Sequence, residues 1–136
     1  MNILVTGGAG FIGSHLVARL LSEGHEVIII DDLSTGSLSN LSGFIDKVTF
    51  IEGSILSTNE LAKAVTGVDY IFHLAAAVGV FNIVNNPLKS LLTNIRGTEN
   101  ILDLANKKRI PVFISSSSEV YGKNISDSLS ETDDRI

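Results

Sequence analysis

Residues 114–122 read ISSSSEVYG, a run of hydroxyls leading into a carboxylate and a phenol at the end of an apolar stretch. Such a set could hydrogen-bond a substrate hydroxyl and help move its proton, with Ser117, Glu119 and Tyr121 as the groups to weigh. A plainer reading stays open beside it. Ser115–Ser118 could be a polar strand end whose hydroxyls bond local backbone, and Tyr121 a packing aromatic at a turn.

The second chemistry-bearing stretch is TGGAGFIG, Thr6–Gly13, with glycines at 7, 10 and 13. Gly7 permits a tight turn, Gly10 lets backbone approach a pyrophosphate, and Gly13 permits close packing of a helix on a strand. The helix N-terminus that follows would offer amides and partial positive charge to an anion. Asp31, eighteen residues past Gly13, stands where a carboxylate can bind the ribose hydroxyls of a dinucleotide. Asp32 follows it with no nearby arginine, which would repel a 2′-phosphate, so the expected cofactor is NAD rather than NADP. His15, His25 and His73 stand isolated without ligand spacing, so no metal site is expected. His73, closing an apolar run, reads as a structural histidine.

Elements that could position these groups alternate along the chain. Ile3–Thr6, Val27–Ile30, Val48–Ile51, Tyr70–Leu74 and Pro111–Ser115 read as strands, the second wholly β-branched as in sheets covered on both faces. Between them, Ile12, Leu16, Val17, Leu20 and Leu21 recur at helical spacing until Gly24. Ser57 with Glu60 suggests a capping box for a short helix through Val65, closed by Gly67. Asn86–Pro87 signals the start of a long helix whose expected apolar stripe is Leu88, Leu91, Leu92, Ile95, Leu102 and Ala105. In that helix Asn94 needs a hydrogen-bonding partner, and Gly97 implies a close backbone approach. The pattern predicts an α/β fold: a Rossmann-type doubly wound parallel sheet of order 3-2-1-4-5 in a three-layer α/β/α arrangement. Residues 1–136 form one domain without a linker, and the polar stretch after Gly122, with Glu131, Asp133 and Asp134, reads as a solvated loop.

Bulk properties narrow the function classes. The 136 residues are 44% hydrophobic and 18% charged, with two prolines, which fits one packed core. A net charge of −5 gives no footprint for nucleic acid, and the Lys-Lys-Arg cluster at 107–109 suits a helix C-terminus. Zero cysteines exclude disulfides and thiol catalysis. No stretch reads as a membrane span and no basic, apolar leader opens the chain, so a cytoplasmic protein is expected.

Five stretches in order, TGxxGxxG at 6–13, DDLSTG at 31–36, HLAA at 73–76, NIRGTEN at 94–100 and SSSEVYG at 116–122, resemble the extended short-chain dehydrogenase/reductases that modify nucleotide sugars. These include UDP-sugar 4-epimerases, sugar-nucleotide dehydratases and UDP-glucuronate decarboxylases, and the resemblance covers essentially the whole chain. It implies NAD held by Gly7, Gly10, Phe11, Ile12, Gly13, Asp31, Asp32, Ser54, Ile55, Leu74, Ala75, Ala76 and Asn94. It implies that Ser117 hydrogen-bonds the sugar hydroxyl being oxidised, and that Glu119 marks decarboxylase- or dehydratase-like relatives. Ser118 stands where dTDP-glucose-type dehydratases carry an aspartate, which tilts the resemblance away from their elimination chemistry. Ser54 departs from an aspartate common beside the adenine.

The reaction implied is a transient oxidation at sugar C4 that allows epimerisation, dehydration or decarboxylation of an NDP-sugar, with a UDP-sugar favoured. That chemistry uses a Tyr-x-x-x-Lys pair. Here Tyr70 is followed four on by Leu74 and Tyr121 by Ile125, so the pair is absent. The chain is therefore expected to be the cofactor-binding part of such an enzyme, without the catalytic Tyr/Lys helix, later strands and sugar-binding portion, and inactive alone. The alternative is a non-catalytic NAD-binding module or sensor. An uncovered edge after the fifth strand predicts self-association, as a homo-oligomer, or marginal stability.

Overall fold

Strand β2, Glu26–Asp31, shows how the sequence builds the sheet. Its Val27 and Ile29 side chains enter one buried cluster and Ile30 the other, so alternate residues feed opposite faces. The same holds for β1, Asn2–Thr6, where Ile3 and Val5 face one cluster and Leu4 the other. Both faces are thus apolar, which is why these strands read as continuous runs rather than alternating ones.

The computed structural model describes residues 1–122 and 128–132. Within it, β1 is followed by α1 (Phe11–Ser22), β2, β3 (Thr49–Glu52), α2 (Thr58–Ala64), β4 (Tyr70–His73), α3 (Val80–Asn85), α4 (Pro87–Lys108) and β5 (Val112–Ile114). All pairings are parallel and the order is β3-β2-β1-β4-β5, as the sequence pattern predicts. One face is filled by Val17 and Leu20 of α1 with Leu41, the other by Leu61 and Ala64 of α2 with Ile101 and Ala105 of α4. This is the three-layer arrangement. The expected loop after Gly122 lies in part outside the described residues, as do Asp133 and Asp134.

The sequence reading is corrected most clearly in α4. Its covered residues are Ser90, Gly97, Ile101 and Ala105, while Leu88, Leu91, Leu92, Ile95 and Leu102 are exposed. Small residues face inward because loops crowd that side: a Cβ on Gly97 would collide with Ile55 Cδ1 and lie 2.7 Å from its Cγ1. Ile12 also points outward from α1, 71% exposed. The capping box at Ser57 does not form. Ser57 is the N-cap but its side chain bonds nothing there, and Glu60 Oε2 instead accepts from the Ser54 amide at 2.8 Å. Asn86 likewise precedes Pro87 without capping through its side chain.

Candidate functional site

The parallel register brings Thr6, Ile30 and His73 to one level of the sheet, so the residues that follow β1, β2 and β4 share one rim. The glycine turn leaves this rim first. Gly7 takes φ +72°, and a side chain there would meet the Ala75 backbone at 2.8 Å. Its carbonyl accepts from the Gly10 amide at 3.2 Å, and its own amide donates to Ile30 O at 2.9 Å. Gly13 packs onto the Gly7 carbonyl so closely that a Cβ would overlap it. Gly10 is the N-cap of α1 with extended backbone and no side-chain cap, so no side chain of the cap satisfies the first-turn amides, the kind of helix end that can take an anion. Phe11 and Ile12 flank that end with exposed side chains, Phe11 against the His15 ring at 4.8 Å.

Asp31 is buried, 8% exposed, and does more than terminate β2. Its Oδ2 accepts from the Ala9 amide inside the glycine turn at 2.9 Å, and its Oδ1 from the Leu33 amide at 2.9 Å. A carboxylate has about four acceptor positions. Of the two bonds here, one ties the glycine turn and the other the loop that follows β2. Asp32 is exposed and bonds the Ser34 amide at 3.0 Å. Asn40 and the Ser37 amide both donate to Ala9 O, at 2.8 and 3.0 Å, closing the turn from the far side.

The opposite wall is residues 74–77. The amides of Leu74 and Ala75 donate to Thr6 Oγ1 at 3.2 and 3.1 Å. Ala76 is exposed. Asn94 accepts from the Ala77 amide at 2.7 Å and donates to Ala77 O at 3.3 Å, so the partner it needs is backbone of this wall. Ile55 is buried beneath Gly97, and its carbonyl accepts from Asn100 Nδ2 at 3.0 Å. Ser54 turns its hydroxyl to the Leu56 amide, 3.2 Å, rather than outward.

The serine stretch behaves locally. Ser117 is the N-cap of a short 3₁₀ turn, Ser118–Tyr121, and its Oγ accepts from the Glu119 amide at 3.3 Å. Ser115 reaches His73 O at 3.5 Å. The glycine turn, Asp31 and 74–77 are joined by hydrogen bonds, and the serine stretch leaves the same rim after β5, whose Ile114 pairs with His73, with Ser117 and Glu119 exposed. Thr6, Thr98, Asn40 and Asn100 were missed by sequence reasoning as site residues. Thr98 and Asn100 sit inside NIRGTEN, where polar side chains spaced along the inner face of α4 were the signal. Among the described residues no group of three or more His, Cys, Asp or Glu could hold a metal, and no helix is long and apolar enough to cross a membrane.

A doubly wound parallel sheet carrying a glycine turn at a helix N-terminus and a carboxylate on the next strand defines the dinucleotide-fold class. Within that class, the chain belongs to the NAD dependent epimerase/dehydratase family, whose model matches residues 3–135. It is 41% identical over 133 residues to the UDP-N-acetyl-alpha-D-glucosaminuronate decarboxylase of Bacillus cytotoxicus, covering 98% of this chain and 41% of that protein. With UDP-glucuronic acid decarboxylase 6 of Arabidopsis thaliana it shares 42% over 123 residues, covering 90% of this chain and 35% of that one. Among solved structures, the UDP-glucose 4-epimerase of Thermotoga maritima with UDP-glucose superposes with TM-score 0.84 at 38% identity, over 93% of this chain and 41% of the epimerase. The Stenotrophomonas maltophila UDP-glucose-4-epimerase with bound NAD superposes with TM-score 0.88 at 31% identity, over 100% and 43%. The chain thus spans less than half the length of these relatives.

Proposed function

We propose that this chain binds NAD across the rim as the dinucleotide-binding part of an enzyme acting on a nucleotide sugar, a UDP-sugar in the first instance. The observation that carries the reading is the Asp31 carboxylate tied at 2.9 Å to the Ala9 amide. That bond couples the ribose-binding group to the pyrophosphate turn. Gly7, Gly10 and Gly13 then face the pyrophosphate with the α1 amides, Phe11 and Ile12 flank it, and Asp31 takes the ribose. Asp32 adds a second negative charge against a 2′-phosphate. Ile55 and Ser54 border the adenine side, and Leu74, Ala75 and Ala76, braced by Asn94, line the other wall. NAD would supply the hydride acceptor for transient oxidation at sugar C4, the step shared by epimerisation, dehydration and decarboxylation.

Ser117 would hold the sugar hydroxyl and Glu119 would mark decarboxylase-like chemistry, both from the resemblance. With no Tyr-x-x-x-Lys in the sequence, the chain by itself binds without turnover. A cytoplasmic location and self-association complete the proposal. The exposed α4 residues Leu88, Ile95 and Leu102 recur every seven positions with Leu91 between them, which is the spacing of a helix-pairing seam for a second copy.

Isothermal titration with NAD and NADP is the test. Binding of NAD and exclusion of NADP are expected. No heat and no thermal stabilisation at millimolar NAD would overturn the cofactor reading. Turnover of UDP-glucose or UDP-glucuronate by the purified chain would overturn its assignment as a part that binds only.

A further inference from the structure

We propose that His73 is a positioning residue: as the neutral Nε2–H tautomer bridging Thr6 and Thr98, it presets the distance between the glycine turn and the wall at 74–77. The inference rests on the NAD reading for its ligand readout but not for its geometry. His73 and Thr6 are buried, 3% and 0% exposed. Thr6 Oγ1 lies 2.7 Å from His73 Nδ1, and His73 Nε2 lies 3.1 Å from Thr98 Oγ1.

The proton positions follow from counting. Thr98 Oγ1 donates its one proton to Asn94 O at 2.7 Å, so toward the imidazole it can only accept, and Nε2 must carry a hydrogen. Thr6 Oγ1 accepts from the Ala75 amide at 3.1 Å and shares the Leu74 amide, at 3.2 Å, with the Thr6 carbonyl, so both its lone pairs are engaged. Its own proton therefore goes to Nδ1, which must be bare. A hydrogen on Nδ1 would face an oxygen with no acceptor site left. No ionised side chain is bonded to the ring among the described residues, and burial lowers the imidazole pKa below 6.5, in keeping with the neutral form.

The chain of bonds runs from the end of β1 through β4 into α4. At Thr6 it holds the amides of Leu74 and Ala75, and at α4 it ends on the carbonyl of Asn94, whose side chain clamps Ala77 from both sides. The wall is thereby registered at both ends through one imidazole. Loosening the bridge lowers the fraction of molecules with the wall in place, and apparent affinity falls by that fraction.

The experiment uses the full chain. Long-range proton–nitrogen NMR of histidine-labelled protein at neutral pH is expected to show His73 with a bare Nδ1 and a protonated Nε2. An Nδ1–H tautomer or a cation overturns the proposal whether or not NAD binds. Thr98→Val removes the acceptor at constant shape and is expected to speed amide exchange at Ala75 and Ala77 about tenfold relative to β2, and to weaken NAD binding about tenfold. Thr98→Ser keeps the hydroxyl and is expected to restore both. Unchanged exchange in Thr98→Val, or NAD binding equal to a binding-competent wild type, overturns the proposal. A wild type with the expected tautomer and protection that fails to bind NAD overturns the cofactor reading alone.

Discussion

A methyl group on Gly13 probes whether the join between α1 and the glycine turn sets the shape of the site. The added Cβ would overlap the Gly7 carbonyl oxygen and stand 2.8 Å from Gly8 Cα and 2.9 Å from the Gly7 carbonyl carbon. All three are backbone atoms, so no rotamer relieves the contact. Either α1 moves away or the turn opens, and the Gly10–Gly7 bond of 3.2 Å is strained in both cases. Overpacking against backbone costs about 1–3 kcal/mol, and weakening the turn bond adds about 1 kcal/mol. Alanine's better helix propensity returns about 1 kcal/mol. The net loss is about 2 kcal/mol. With about 2.1 cal/mol/K of unfolding entropy per residue, the 136 residues give about 0.29 kcal/mol/K, hence a fall in Tm of about 7 °C. Thermal unfolding followed by circular dichroism measures this directly. Gly43→Ala is the control, since nothing lies within 4 Å of its Cβ position, and its Tm should hold or rise slightly. A Gly13→Ala protein that melts at or above the wild-type temperature refutes the packing argument.

Asp31→Asn replaces one acceptor with a donor facing either the Ala9 or the Leu33 amide. It should lower stability by about 2–3 kcal/mol, weaken NAD binding and relax discrimination against NADP, checked by melting and paired titrations. His73 titrates lower in the folded chain than when unfolded, so the unfolded state binds more protons between the two pKa values. Stability should be full above pH 6.5 and fall as pH drops from there toward the lowered native pKa, and urea midpoints should show a smaller loss in His73→Gln. Ile95→Glu, on the exposed face of α4, should yield monomers by sedimentation while leaving NAD affinity within about twofold; an unchanged assembly state removes that face from self-association.

The strands were legible because their signal is local and redundant. Glu26–Asp31 carries apolar residues toward both faces, which only a covered parallel strand tolerates. The glycine turn was legible for a related reason, since steric demands at 7 and 13 leave no other residue type. Helix α4 misled because leucines outnumber the small residues that its crowded inner side requires. Helix α3 went unread because VFNIVN is rich in β-branched and asparagine residues, weak helix formers that packing on α4 overrides. The capping box failed because Glu60 finds the Ser54 amide instead. The imidazole bridge joins positions 67 and 25 residues apart, and no short-range pattern encodes such a meeting.

The bond from Thr6 to His73 spans 67 residues of chain, and its length dictates an order of events. Closing a loop of that size costs about 3.7 kcal/mol in the logarithmic term alone. The glycine turn and Asp31 lie within the first 31 residues and can form with β1 and β2. The wall can form only when β4 has docked beside β1. A chain emerging from the ribosome therefore holds every residue of the glycine turn, and Asp31, well before the residues of the wall are made. Ligand that needs both sides can recognise only molecules past that step, and so acts on the molecule as a latch closed after folding, not as a template for it.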